Sequence, residues 1–139
     1  LNPRIKEMPF AKIIRYELAD FMATPFPDGS FGAITAISVI EHGFRSGRLL
    51  REISRLLRPG GYFIASFDYW PEKVDTTGMD IFGMDWRIFS KAEVLAFIEE
   101  AHGYGFSSCG EIDLEAGEKV VYWGGKDYTF AWLALRKCE

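Results

Sequence analysis

The stretch FPDGSFGAITAISVIEHG, Phe26 to Gly43, limits what this chain can fold into more than any other. Pro27 presets φ and Asp28-Gly29 supply turn chemistry, so the run opens on a turn. AITAISVI is then continuously apolar and rich in β-branched residues. It is too short for a helix and has no polar face, which suits a strand covered on both sides in a parallel sheet. SGRLLREISRLL follows, with Leu49, Leu50, Ile53, Leu56 and Leu57 on one helical face and Ser46 placed to cap it. RPGG stops that helix, because Pro59 cannot continue it and two glycines allow a tight reversal. YFIASF is the next buried strand. Strand, helix, strand with short links predicts a right-handed crossover between parallel strands.

On either side the pattern is less regular. Lys12 to Leu18 reads as a short strand ending near Asp20. Asp68 to Arg87 has no clear period and is full of aromatics, glycines and acids, so it reads as a long, mobile loop. Ser90 and Glu93 have capping-box spacing, and Phe89 and Val94 that of a hydrophobic staple, so a helix starts at Lys91. SSCGEIDL and YTFAWLALR are predicted as two antiparallel strands at a sheet edge. His102, in the last turn of the preceding helix, reads as structural.

Composition excludes more than it assigns. Apolar residues make up 48% of the 139, which rules out a disordered chain and is enough for one domain. The net charge is −4 and no basic stripe occurs, which speaks against nucleic acid and acidic membrane surfaces as partners. Cys109 and Cys138 are in no metal spacing, so neither a metal site nor a disulfide is expected, and two reduced thiols point to a cytoplasmic protein.

ADFMATPFPDGSFGAITAISVIEH, then LLREISRLLRPGGYFIASF, then a loop, a helix ending GYGF and the terminal YTFAWLALRK resemble the C-terminal two-thirds of a class I S-adenosylmethionine-dependent methyltransferase of the type 11 kind. The resemblance runs from about Ala11 to Arg136. It implies an incomplete Rossmann-like, doubly wound α/β sheet, strands three to seven of that fold, mainly parallel with an antiparallel C-terminal hairpin. It also implies that residues 1–139 form a single methyltransferase-like domain lacking the N-terminal glycine-rich cofactor turn and the acid that holds the ribose. The first glycine in the chain is Gly29. Where the family has an acid after the Phe of GSF, this chain has Gly32.

Ligands of open α/β sheets bind outside the carboxyl ends of the strands. By the resemblance, Asp20 accepts from the adenine amino group, Phe21 packs on the ring or offers its amide, and Ser38 lines the cofactor. Glu41 and His42 stand at the end of a buried strand, where a general base or a substrate hydrogen bond belongs. Asp68, Tyr69 and Trp70 follow the next strand and, with Asp85 and Trp86, form a candidate aromatic lid over a small-molecule acceptor. Expected function is therefore a fragment or truncated form of a methyltransferase with weak or absent S-adenosylmethionine binding. The alternative is a catalytically inactive binding or assembly module; a chain that starts on Leu1 leaves both open. The central strand AITAISVI lacks its usual neighbour, so a homodimer through its free edge is also expected.

Overall fold

The computed structural model describes residues 14–139. The expected turn, strand, helix and strand are present as β1 (Phe31–Ile37), α1 (Ser46–Leu56) and β2 (Leu57–Tyr69). After them come a small hairpin of β3 (Asp80–Ile81) and β4 (Met84–Asp85), then α2 (Lys91–Gly103), β5 (Phe106–Ser108), β6 (Val121–Trp123) and β7 (Lys126–Lys137). The main sheet has the order β1–β2–β7–β5, with β6 also paired to β7. Among the described residues only β1 and β2 pair as parallel strands; β7 is antiparallel to β2, β5 and β6. This is the incomplete α/β fold expected, with a smaller parallel share than expected.

Part of that difference lies at the start of the chain. Ile14–Leu18 form no strand, and all five residues are exposed; Lys12 and Ile13 lie outside the described residues. SSCGEIDL keeps strand geometry only to Ser108. At α1 the residue ahead of the helix is Arg45, with no side-chain cap, so Ser46 is the first helical residue and not the cap. At α2 the capping box is complete: Ser90 Oγ accepts from the Glu93 amide, and the Glu93 carboxylate accepts from the Ser90 amide at 2.8 Å.

RPGG does more than stop α1. Between Phe31↔Leu57 and Ala33↔Tyr62 the register jumps, so residues Arg58 to Gly61 bulge out. Gly60 has φ +75°, and a Cβ on Gly61 would lie 2.9 Å from the Arg58 carbonyl and 3.0 Å from that of Gly32. The close backbone approach at the start of the parallel pair therefore requires glycine at 61.

Both helices lie on one face of the sheet. Ser54 Oγ on α1 donates to the Tyr104 carbonyl at the end of α2, and Leu49, Leu50, Ile53, Val94, Phe97 and Ala101 pack with Phe63, Ala65, Phe67, Leu133 and Leu135. The opposite face alternates with it at period two. There Ile37, Tyr62, Phe130 and Trp132 are 61%, 42%, 51% and 66% exposed. The expectation that AITAISVI is covered on both sides is therefore corrected. Among the described residues β1 is an edge strand covered on one face.

Candidate functional site

The carboxyl end of β1 opens into a cleft of about 640 Å³. One wall is Ala19–Met22, another the end of β1 with Ser38 and Val39, and the rest the segment His42–Arg48 and the tip of the β3–β4 hairpin. β1 ends abruptly because Ser38 has φ +50°, an unusual conformation for a residue with a side chain. Its amide donates to the Ser66 carbonyl at 3.0 Å, which fixes the corner.

Asp20 sits on the rim and is already engaged. Its Oδ1 accepts from the Met22 amide at 2.9 Å and its Oδ2 from Arg48 Nη2 at 3.0 Å. Phe21 faces the same cleft and packs on the main core. Across the cleft, Arg45 donates both terminal nitrogens to Asp85 at 3.1 Å. Two ion pairs from the start of α1 thus hold the first segment and the hairpin against the strand ends. Both are half-exposed.

Behind the cleft lies a buried polar layer. Glu41 is 1% exposed and Asp68 6%. Trp86 Nε1 donates to Asp68 Oδ2 at 2.7 Å, and the Tyr128 hydroxyl faces the same carboxyl. Burial pushes Glu41 up to about 7, against the pull of a backbone hydrogen bond and with help from the Asp68 charge. Burial also raises Asp68, opposed by Trp86, by nearby His42 and by Tyr128. Burial and the Asp68 charge push Tyr128 to about 12. Glu41 Oε2 and His42 Nδ1 are the buried side-chain atoms without a hydrogen-bond partner among the described residues.

The hairpin brings these groups together. His42 bridges to Trp86, the Gly43 amide donates to the Asp85 carbonyl at 2.8 Å, and the Arg87 amide to the Glu41 carbonyl at 2.9 Å. The turn at Phe82-Gly83 has φ of +58° and +75°, the signs a two-residue hairpin needs. Phe82 accepts this strained geometry while 84% exposed, and its ring stands 5.7 Å from that of His42. The segment expected to be an irregular loop is therefore a tethered flap.

The sequence candidates divide accordingly. Glu41, His42, Asp68 and Trp86 meet in one place, with Asp20, Phe21, Ser38 and Asp85 around the adjoining cleft. Tyr69 does not join them: it is 1% exposed, and its hydroxyl donates to the Leu114 carbonyl from within the core. Trp70 packs against the cluster of Trp86, Ile88 and Tyr128, with Lys119 Nζ 4.6 Å above its ring. Tyr128, Arg45 and Arg48 were not singled out from the sequence. The alternation of Tyr128, Phe130 and Trp132 along β7 places Tyr128 on the Asp68 side of the sheet, and was the available signal.

A family model described as a methyltransferase domain matches residues 2–65. Sterol 24-C-methyltransferase ERG6B of Gibberella zeae is 42% identical over 50 residues, 36% of this chain and 13% of that protein. Demethylmenaquinone methyltransferase of Thermus thermophilus is 35% identical over 89 residues, 61% of this chain and 36% of that protein. The chain thus spans about a third or less of the length of these curated relatives. Geranyl diphosphate C-methyltransferase from Streptomyces coelicolor, solved with Mg²⁺, geranyl diphosphate and S-adenosyl-L-homocysteine, superposes with a TM-score of 0.70 at 17% identity over 98% of this chain and 58% of that one. The [4+2]-cyclase SpnF superposes at 0.67 and 20% identity over 97% and 60%. Residues 2–65, just under half of the chain, thus resemble a methyltransferase domain, and nearly the whole chain has the fold of a part of solved methyltransferases such as the geranyl diphosphate enzyme.

Proposed function

We propose that the protein containing this methyltransferase-like domain transfers a methyl group from S-adenosylmethionine to a small molecule at the cleft beside His42. The observation that carries this is the convergence of Glu41, His42, Asp68 and Trp86 behind a cleft at the carboxyl end of β1. Relatives named for sterols, demethylmenaquinone and geranyl diphosphate support an apolar small molecule as acceptor. Bound, S-adenosylmethionine supplies an electrophilic methyl on a sulfonium. His42 meets the acceptor, and Glu41 acts from behind it because it is buried. Trp86 positions Asp68, and the hairpin tip screens the cleft from water.

The residues fit the cofactor in part. Asp20, Phe21 and Ser38 can take the adenine end, although Asp20 reaches it only by sharing or releasing Arg48. The glycine turn and the ribose acid are not supplied by the described residues. Each lost charge-assisted contact weakens binding by about 1.5 to 3 kcal/mol, so two lower affinity by roughly a hundredfold or more. Titration calorimetry of this 139-residue chain is expected to show no low-micromolar binding of S-adenosylmethionine; such binding would overturn this account of the pocket. Methyl transfer by a longer protein containing this segment, measured with labelled methyl donor against apolar alcohols and quinols, tests the reading itself. Inactivity of that protein, with the fold intact, would favour a binding or assembly module.

The free thiols of Cys109 and Cys138 support a reducing, cytoplasmic location. We also infer a homodimer. Among the described residues, the outer edge of β1 has no sheet partner, and the uncovered face beside it exposes Ile37 and Trp132. Sedimentation velocity is expected to give a dimer, and Ile37→Lys, a change at a surface position, a folded monomer. A wild-type monomer at high concentration would sink the dimer.

A further inference from the structure

Among the described residues, two other than glycine have positive φ, Ser38 at +50° and Phe82 at +58°. Ser38 lines the cleft, and Phe82 leads the hairpin turn whose next residues, Gly83, Met84 and Asp85, line it too. The strain at Phe82 has a cheaper solution, because asparagine or aspartate before glycine suits this turn better than phenylalanine does. Burial does not offset the strain. Phe82 is 84% exposed, and its ring meets that of His42 edge-on, with centroids 5.7 Å apart. The turn is nevertheless held in place. Asp80 pairs with Asp85 and Ile81 with Met84, while Asp85 is tied to Arg45 and Trp86 to Asp68. A ring that gains little from the fold is thus carried by a fixed turn to the edge of the cleft, beside His42.

The lining of the cleft also favours rings. Phe21, Met22 and Met84 outweigh Ala19 and Val39, and His42 adds an imidazole. Gly43, with φ +64°, makes room for Met84: a Cβ there would stand 3.4 Å from the sulfur. Aromatic rings and thioethers gain more from the face or edge of a flat π system than from a saturated chain of equal area. The charges at the rim are paired, Asp20 with Arg48 and Asp85 with Arg45, so an ionic ligand would have to break an ion pair. A volume of about 640 Å³ suits one small molecule. Resting on the methyltransferase reading for what the bound molecule undergoes, we propose that Phe82 is a specificity-determining residue, and that the acceptor is a flat, unsaturated ring compound held by the rings of Phe82 and His42 in preference to a saturated one. Phe82 touches the acceptor and takes no part in bond making or breaking.

Probe binding to the 139-residue chain tests this with no methyl donor present. Naphthol and its fully saturated counterpart decahydronaphthol share a hydroxyl and a carbon skeleton and differ in flatness. In a nuclear magnetic resonance titration, naphthol is expected to shift the His42 and Phe82 ring signals and to bind tighter than decahydronaphthol by roughly two- to tenfold, the worth of one aromatic pair. Phe82→Asn should fold with at least wild-type thermal stability, because Asn-Gly suits the turn, and should bind the two probes alike. Phe82→Leu, apolar but without a π face, should lose the preference as well, and Phe82→Tyr should keep it. No shift at His42, equal binding of the probes by wild type, or an unchanged preference in Phe82→Asn would overturn the proposal. So would a Phe82→Asn chain less stable than wild type, which would show that the ring serves the fold. These outcomes leave the methyltransferase reading standing, since methyl transfer is measured separately in the longer protein. Absence of methyl transfer there, with the ring preference intact, would do the reverse.

Discussion

Replacing Glu52 with alanine is expected to destabilise the fold by about 2 to 3 kcal/mol, the largest single loss at any polar residue of α1. Glu52 is 7% exposed and accepts four hydrogen bonds: from the Thr24 amide at 2.8 Å, Thr24 Oγ1 at 2.7 Å, and Arg55 Nη2 and Nε at 2.7 and 3.1 Å. Arg55 in turn donates to the Phe26 carbonyl at 2.7 Å and to Asp28 at 2.8 Å. The pair therefore pins the whole segment from Thr24 to Asp28 onto α1. Its Arg55 hydrogen bond, helped by Thr24 and opposed by burial, holds the Glu52 carboxyl at about 2. Removing the acid takes two of the hydrogen bonds that Arg55 donates and leaves the Thr24 amide without its partner, which costs more than the pair contributes. The partly open Arg55 side chain, 30% exposed, keeps the loss at or below the lower end of the buried-pair range. Because the folded value lies below the ordinary 4.5, this stability is present above pH 4.5 and lost as pH falls toward 2. Urea unfolding of wild type and Glu52→Ala at pH 7 and pH 3 checks both parts. A loss below about 0.5 kcal/mol at pH 7, or an equal loss at both values, would contradict the assignment. Asp28→Asn, at an 80% exposed side chain, should change stability by less than about 0.5 kcal/mol.

This node marks the boundary of what the sequence discloses. Turn chemistry at Pro27-Asp28-Gly29 and the leucine face of α1 are local patterns, and both were legible. That the turn and the helix are bound to each other through Glu52 and Arg55 was not, because a contact between residues 28 positions apart leaves no local pattern. The same limit applies at the site. Strand-end logic placed Glu41, His42 and Asp68 near a common cleft, since it depends only on which residue follows each strand. Trp86 reached Asp68 through a hairpin whose turn is Phe82-Gly83, without the Asn-Gly or Asp-Gly signal that would have announced it. Tyr69 was misplaced for a simpler reason. A strand alternates its faces, and one step along β2 separates Asp68, facing the flap, from Tyr69, facing Leu114. The exposed face of β1 was hidden from the sequence because a wholly apolar strand looks the same whether one or both of its faces are covered.

Glu41→Gln is expected to make the protein more stable in mild alkali, by about 2 kcal/mol at pH 8, and to leave it nearly unchanged at pH 4.5. Burial raises the Glu41 carboxyl from the ordinary 4.5 to about 7. Between those values the folded chain keeps a proton that the unfolded chain has released. Folding then takes up a proton, so stability falls as pH rises from about 4.5 to about 7 and levels off above it. A shift of this size corresponds to about 3 kcal/mol, which screening by the nearby cleft reduces. Glutamine keeps the shape and removes the charge, and with it most of the slope; the share owed to Asp68, raised by its own burial, remains. Thermal or urea unfolding across pH 4.5 to 8 gives both profiles directly. A variant with the wild-type slope, or one less stable than wild type at pH 8, would show that Glu41 is not the group that titrates. The expected gain also bears on function. An acid that weakens the fold at neutral pH, where a neutral amide of the same shape would not, is retained against stability, and such groups collect where a protein needs a proton at hand.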